Sequence, residues 1–139
     1  LTLTYPGLAD VYEALTAELG IPSTMAPDAF RQEWVRHEAD VEAALDRMEQ
    51  TVFGEEVHET VCEKAAPFVQ ALIQRHPFID GNKRTAVRVA YAFIKYNGRT
   101  ITATEDDTVE MARDVAVGNY EVDELADWFQ AHTKPVDDS

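Results

Sequence analysis

Arg75-His76-Pro77-Phe78-Ile79-Asp80-Gly81-Asn82-Lys83-Arg84-Thr85-Ala86, near the middle of a 139-residue chain, puts a histidine, a carboxylate, a glycine, an amide and adjacent cations into one turn and the start of a helix. The Pro77-Phe78 step stiffens the entry, and Asp80-Gly81-Asn82 is turn chemistry. From Asn82 onward the pattern is helical. The amides of Gly81 to Arg84 are therefore expected to form a helix N-terminus, where unpaired N–H groups and the helix dipole favour an anion. An anion site beside a histidine and a carboxylate is the working hypothesis.

Working outward, Ala86, Val89, Ala90, Phe93 and Ile94 recur at core spacing until Asn97-Gly98 ends the helix. Arg84, Arg88 and Tyr91 fall at i, i+4 and i+7 on another face, which places both arginines beside the turn that holds His76. Upstream, Val57, Val61, Ala65, Phe68, Val69, Leu72 and Ile73 write an amphipathic helix, with Glu59, Glu63, Lys64, Gln70 and Gln74 outward and a kink at Pro67. Before it, Thr51-Val52-Phe53-Gly54 loses helical periodicity and reads as a loop, with Phe53 either free or tucked into the core.

Further out, Leu8, Val11, Tyr12, Leu15 and Leu19 predict a first helix stopped by Gly20 and Pro22. Asp28 is expected to cap a helix carrying Phe30, Trp34 and Val35, with a break near His37 before Val41, Ala44, Leu45 and Met48. After a brief extended piece from Arg99 to Thr102, Thr104 caps a helix whose buried stripe is Val109, Ala112, Val115 and Ala116. Val122, Leu125, Ala126 and Phe129 mark a last helix, and the polar tail from Lys134 is expected to fray. The expected fold class is all-α, a single compact domain over residues 1–139 with about six helices.

A chain of this length buries roughly 70% of the surface it exposes when unfolded, enough for its own core. Its 12 basic and 26 acidic residues give a formal charge of −14, which repels phosphate backbones and anionic membrane surfaces and argues against direct nucleic-acid or membrane binding. The lone Cys62 excludes an internal disulfide and a Cys-rich metal site. With no long uncharged apolar run or signal-peptide pattern, the chain reads as cytoplasmic.

Each residue of the central stretch also has a plain structural use. His76 could bond a carbonyl at a helix end, yet beside an anion site an imidazole can accept a hydroxyl proton near neutral pH. Asp80 could cap the following helix, and Gly81 and Asn82 could be ordinary turn residues. Arg84 could be a surface cation, although its planar fork suits phosphate oxygens. The spaced glycines of a P-loop are absent.

The run from His76 to Arg84 resembles the signature of the Fic/Doc superfamily, roughly His-x-Phe-x-(Asp/Glu)-Gly-Asn-(Gly/Lys)-Arg, and the helical text over 38–132 is similar to its Doc (death-on-curing) branch. Lys83 stands where typical Fic nucleotidyl transferases have glycine. Val87 stands where they carry a second arginine, with Arg88 one step later. Residues 21–37 are not placed by the resemblance. The resemblance implies a Fic/Doc-like bundle with a short flap, at Phe53 and Gly54, that docks a target segment ahead of the motif-bearing helix pair. It implies His76 as general base, Asp80 as ligand to Mg²⁺, and Gly81, Asn82, Lys83, Arg84 and Arg88 as the phosphate site for ATP. With Lys83 in the glycine position, the Doc likeness implies ATP held with its γ-phosphate in the anion site, hence phosphotransfer to a Ser or Thr hydroxyl. The implied target is a translation elongation factor of the Tu type and the implied outcome is growth arrest. The rival readings are AMP transfer of the Fic type, and a catalytically silent module that binds an antitoxin and modulates its operon. Thr51 and Glu55 match the start of the inhibitory Ser/Thr-x-x-x-Glu-(Gly/Asn) helix of Fic proteins, but Glu56 fails its last place. Restraint is therefore expected from a separate antitoxin whose disordered segment folds onto the bundle.

Overall fold

A computed structural model describes residues 3–53, 55–58 and 60–136. Its helices are α1 (Leu8–Leu19), α2 (Pro27–Trp34), α3 (Glu38–Glu49), α4 (Val61–Arg75), α5 (Asn82–Tyr96), α6 (Glu105–Ala116) and α7 (Val122–Ala131). Two short antiparallel ribbons accompany them: β1 (Thr51–Val52) with β2 (Glu55–Glu56), and β3 (Arg99–Ile101) with β4 (Thr133–Pro135). The mostly helical architecture agrees with the all-α expectation, with seven helices in place of about six.

The spine of the bundle is α4. Thr60 caps it by accepting the Glu63 amide at 3.2 Å, and its Ala65, Phe68, Val69, Leu72 and Ile73 are fully buried. Helices α3, α5 and α7 pack around it, and α1 lies on α5. The small side chains Ala65, Ala66, Ala86 and Ala90, all without exposed surface, allow this close approach. At the N-terminal side, the backbone of Thr4 exchanges hydrogen bonds with the Asn97 amide and the Tyr5 ring stacks on Phe93.

Several local expectations are corrected. The helix expected around Phe30 is α2, but Ala26 is its N-cap and Pro27 opens it, so Asp28 lies inside the first turn. Proline there loses nothing, since the first-turn N–H has no helical partner. Lys64, expected outward, has no exposed surface: its Nζ lies 3.2 Å from Glu56 Oε2 of β2, 3.5 Å from Met48 O and 5.7 Å from the centre of the Tyr5 ring. Val109, expected in the core, is 50% exposed. Lys134 and Pro135 are paired in β4 against β3 and do not fray. The helix expected from Val57 starts at Val61, because the Val57 amide instead closes the β1–β2 hairpin on Gln50 O at 2.9 Å. Glu59, expected outward, lies outside the described residues. The break expected near His37 is present, with His37 as N-cap of α3.

Candidate active site

The stretch 76–81 joins the end of α4 to the start of α5. His76 is the C-cap of α4 and takes a left-handed backbone, φ 49° and ψ 59°, a conformation that costs a non-glycine residue on the order of 1–3 kcal/mol. The neighbouring bonds hold it there. Pro77 O accepts the amides of Arg36 (2.8 Å) and His37 (3.2 Å), and the Ile79 amide donates to Trp34 O (3.0 Å). Val35 and Phe78 form an antiparallel bridge between the two segments. Phe78 is 1% exposed and anchors the loop in the core.

Asn82 is buried, and its side chain is spent on the loop. Its Oδ1 accepts the Phe78 amide and its Nδ2 donates to Phe78 O, both at 3.0 Å. Gly81 supplies φ 78°, and a Cβ there would come within 3.2 Å of Leu19 Cδ2 and 3.3 Å of Leu15 Cδ1. Both conditions call for glycine. Asp80 is exposed, and its Oδ1 accepts the Gly81 amide at 2.7 Å.

The start of α5 is electrostatically unlike the other described helices. Each of the other six carries an acidic residue in its first turn, as a chain rich in carboxylates readily supplies. The first turn of α5 has none, and its N-cap, Gly81, makes no side-chain cap bond. Lys83 and Arg84 occupy it instead, both exposed and, among the described residues, without a carboxylate partner. Cations at the positive end of a helix dipole are unfavourable unless an anion balances them.

Lys83, Arg84, Arg88 and Tyr91 line one open cavity of about 660 Å³, together with Thr104, Val109 and Ala112 of the α6 region and the carboxylates Glu18 and Glu105. A volume of that order suits a nucleotide-sized ligand. Arg84, Arg88 and Tyr91 thus share one face, as their spacing predicts, but His76, beside which both arginines were expected, is not part of that cavity. Arg88, however, is engaged by Glu18 of α1 at 2.9 Å, and Val87 contributes only apolar surface to the same cavity. The Tyr91 hydroxyl sits 2.6 Å from Thr108 Oγ1, and burial pushes its pKa up. His76, Asp80, Gly81 and Asn82 are not part of the cavity wall; the first three lie in the loop before α5, and Asn82 opens that helix. A second groove, about 480 Å³ between the N-terminal arm, α1 and α5, shares only Arg88 with the site.

The implied Mg²⁺ and ATP can be tested against these residues. Among the described residues no three His, Cys, Asp or Glu side chains cluster as a metal cage. Asp80 Oδ2 takes no protein hydrogen bond or ion pair among them, which fits a cation held by one carboxylate and completed by phosphate oxygens. Phe53 tips the β1–β2 hairpin with φ 53° and a fully exposed ring, so it is not tucked into the core. Gly54 lies outside the described residues. The hairpin is also not the inhibitory helix whose start Thr51 and Glu55 match. Residues 34–37 support the loop yet were missed, since nothing local in Trp34-Val35-Arg36-His37 announces a pairing with residues some forty positions away.

The loop between α4 and α5 carries the run His76 to Arg84 that resembles the Fic/Doc signature. The model of the Fic/DOC family matches residues 3–94, and the chain belongs to that family. It is 35% identical over 94 residues to Toxin Doc of Mycolicibacterium smegmatis (strain ATCC 700084 / mc(2)155), covering 66% of this chain and 72% of that protein, which sets it on the Doc side of the family. No helix among the described residues is long and apolar enough to cross a membrane.

Proposed function

We propose that this chain is a Doc-type toxin that transfers the γ-phosphoryl group of ATP to a Ser or Thr hydroxyl of a Tu-type elongation factor, arresting growth. The observation that carries the phosphate site is the first turn of α5, where two unpaired cations replace the acidic residues found at every other described helix start. The likeness to Toxin Doc supports the toxin reading, and Lys83 in the glycine position supports phosphoryl over nucleotidyl transfer.

In this mechanism the chain's own groups position and stabilise. His76, whose ring makes no side-chain hydrogen bond among the described residues, takes the proton of the attacking hydroxyl. As the new O–P bond forms, the bond from the γ-phosphorus to the bridging oxygen breaks, and ADP leaves. Amides of the first α5 turn, Lys83 and Arg84 face the equatorial oxygens. Asp80, through Oδ2, would hold Mg²⁺, which when bound neutralises charge shared by the phosphates. Phe53, at the exposed hairpin tip, docks the target segment. A separate antitoxin, with a disordered segment that folds on binding, restrains the activity.

The deciding experiment incubates the protein with target extract and ATP labelled at either the α or the γ position. Label from γ alone on one acceptor, abolished by His76→Ala, is the expected result. Label from α instead would establish AMP transfer. Equal growth arrest by wild type and His76→Ala, with no labelling, would establish a binding module.

A further inference from the structure

Glu38 stands where three helices meet. Its Oε2 accepts the Tyr12 hydroxyl from α1 and Arg31 Nε from α2 at 3.0 Å, while Glu38 itself opens α3. The two residues before it, Arg36 and His37, send their amides to Pro77 O, and Trp34 O receives the Ile79 amide. On the α1 side the Tyr12 ring makes T-shaped contacts with Phe78 and Phe30, ring centres 6.2 Å and 5.3 Å apart. Two residues beyond Glu38, Asp40 pairs at 3.2 Å with Arg75, the neighbour of His76. The struts that reach residues 75–79 from α1, α2 and α3 therefore converge within a few residues of one carboxylate.

An isolated, half-exposed ion pair would contribute little. This one differs because its partners are otherwise separate elements, each in contact with the loop, and because the loop holds a left-handed histidine that only its surroundings can maintain. We infer that Glu38 is a positioning residue for His76, acting through the Tyr12 hydroxyl and the 34–37 backbone; its effect on turnover rests on the reading of His76 as base. Residues 30–37, at the end of a segment that carries no motif, become the brace of the catalytic loop. A displacement of about an ångström at a reacting group is enough to lower turnover by roughly a hundredfold.

The test uses the full chain, with Glu38→Ala, Glu38→Gln and Tyr12→Phe. Amide hydrogen exchange is followed at Arg36, His37 and Ile79, together with γ-label transfer at saturating ATP. Glu38→Ala is expected to speed exchange at these three amides and to lower turnover, each by roughly tenfold, with the KM for ATP held within about twofold. Glu38→Gln keeps an acceptor and recovers most of both. Tyr12→Phe keeps the ring against Phe78 and gives about a threefold effect on each; should Glu38→Ala fail to fold, this variant carries the test. Unchanged exchange at the three amides overturns the inference, as does faster exchange with wild-type turnover. If His76→Ala transfers label normally, the base reading and the turnover half of the inference fall together. The exchange data then still decide whether Glu38 holds the loop.

Discussion

Asn82 illustrates how a motif residue can serve a site without facing the ligand. Both ends of its amide are bonded to the Phe78 backbone, so it fixes the shape of the turn between His76 and the first turn of α5. Asn82→Ala would leave a buried N–H and C=O unpaired, each worth about 1–3 kcal/mol. A urea melt is expected to show a loss of roughly 2–4 kcal/mol, accompanied by loss of label transfer. Glu38 gives a pH signature at the same scale. The Tyr12 hydroxyl, and secondarily Arg31, hold its carboxyl below the usual range. A depressed folded pKa contributes stability above the unfolded value, near 4.3, that is lost as pH falls through the folded value. Wild type is therefore expected to lose its stability advantage over Tyr12→Phe on acidification from about pH 6 to about pH 3, as thermal melts at each pH would show. A constant difference across that window would contradict the assignment.

Among the elements, what the chain spells locally was legible and what depends on distant partners was not. Periodicity located α1, α4, α5, α6 and α7, and Thr104 was correctly read as a cap: its hydroxyl accepts the Asp107 amide at 3.1 Å, while Asp107 Oδ2 accepts the Thr104 amide at 3.0 Å. The loop after α4 was legible because Pro77 followed by Asp80-Gly81-Asn82 is turn chemistry. Lys64 was misread because a lysine beside Glu63 looks solvent-facing; only the hairpin that folds back over α4 supplies its counter-charge. The bracing of Pro77 and Ile79 by residues 34–37, and the pairing of β3 with β4, are long-range backbone contacts that leave no trace in side-chain spacing. Lys64 also yields a prediction. Lys64 is buried while Glu56 is half exposed, so the desolvation cost falls on the ammonium: an apolar replacement of similar volume costs little, whereas removing its counter-charge is costly. Lys64→Met is expected to melt within about 1–2 kcal/mol of wild type, while exchange at the amides of the β1–β2 hairpin accelerates. Glu56→Ala, which strands the ammonium, is expected to destabilise more than Lys64→Met.

For the molecule as a whole, a formal charge of −14 on 139 residues sets the background against which the α5 start is read. Self-repulsion is screened by salt, so raising sodium chloride from about 0.05 to about 1 M is expected to raise the melting temperature. Inorganic phosphate at matched ionic strength should raise it further in wild type but not in a Lys83→Ala, Arg84→Ala double variant, because a ligand stabilises only the state that binds it. Equal phosphate effects in both would remove the anion site.

The bare aromatic ring at the turn between β1 and β2 gives chymotrypsin a foothold between α3 and α4. A first cut after Phe53 would divide the chain into pieces that the spine helix still clasps together. The rate of that nick becomes a label-free gauge of whether anything, client or antitoxin, has come to sit on the hairpin.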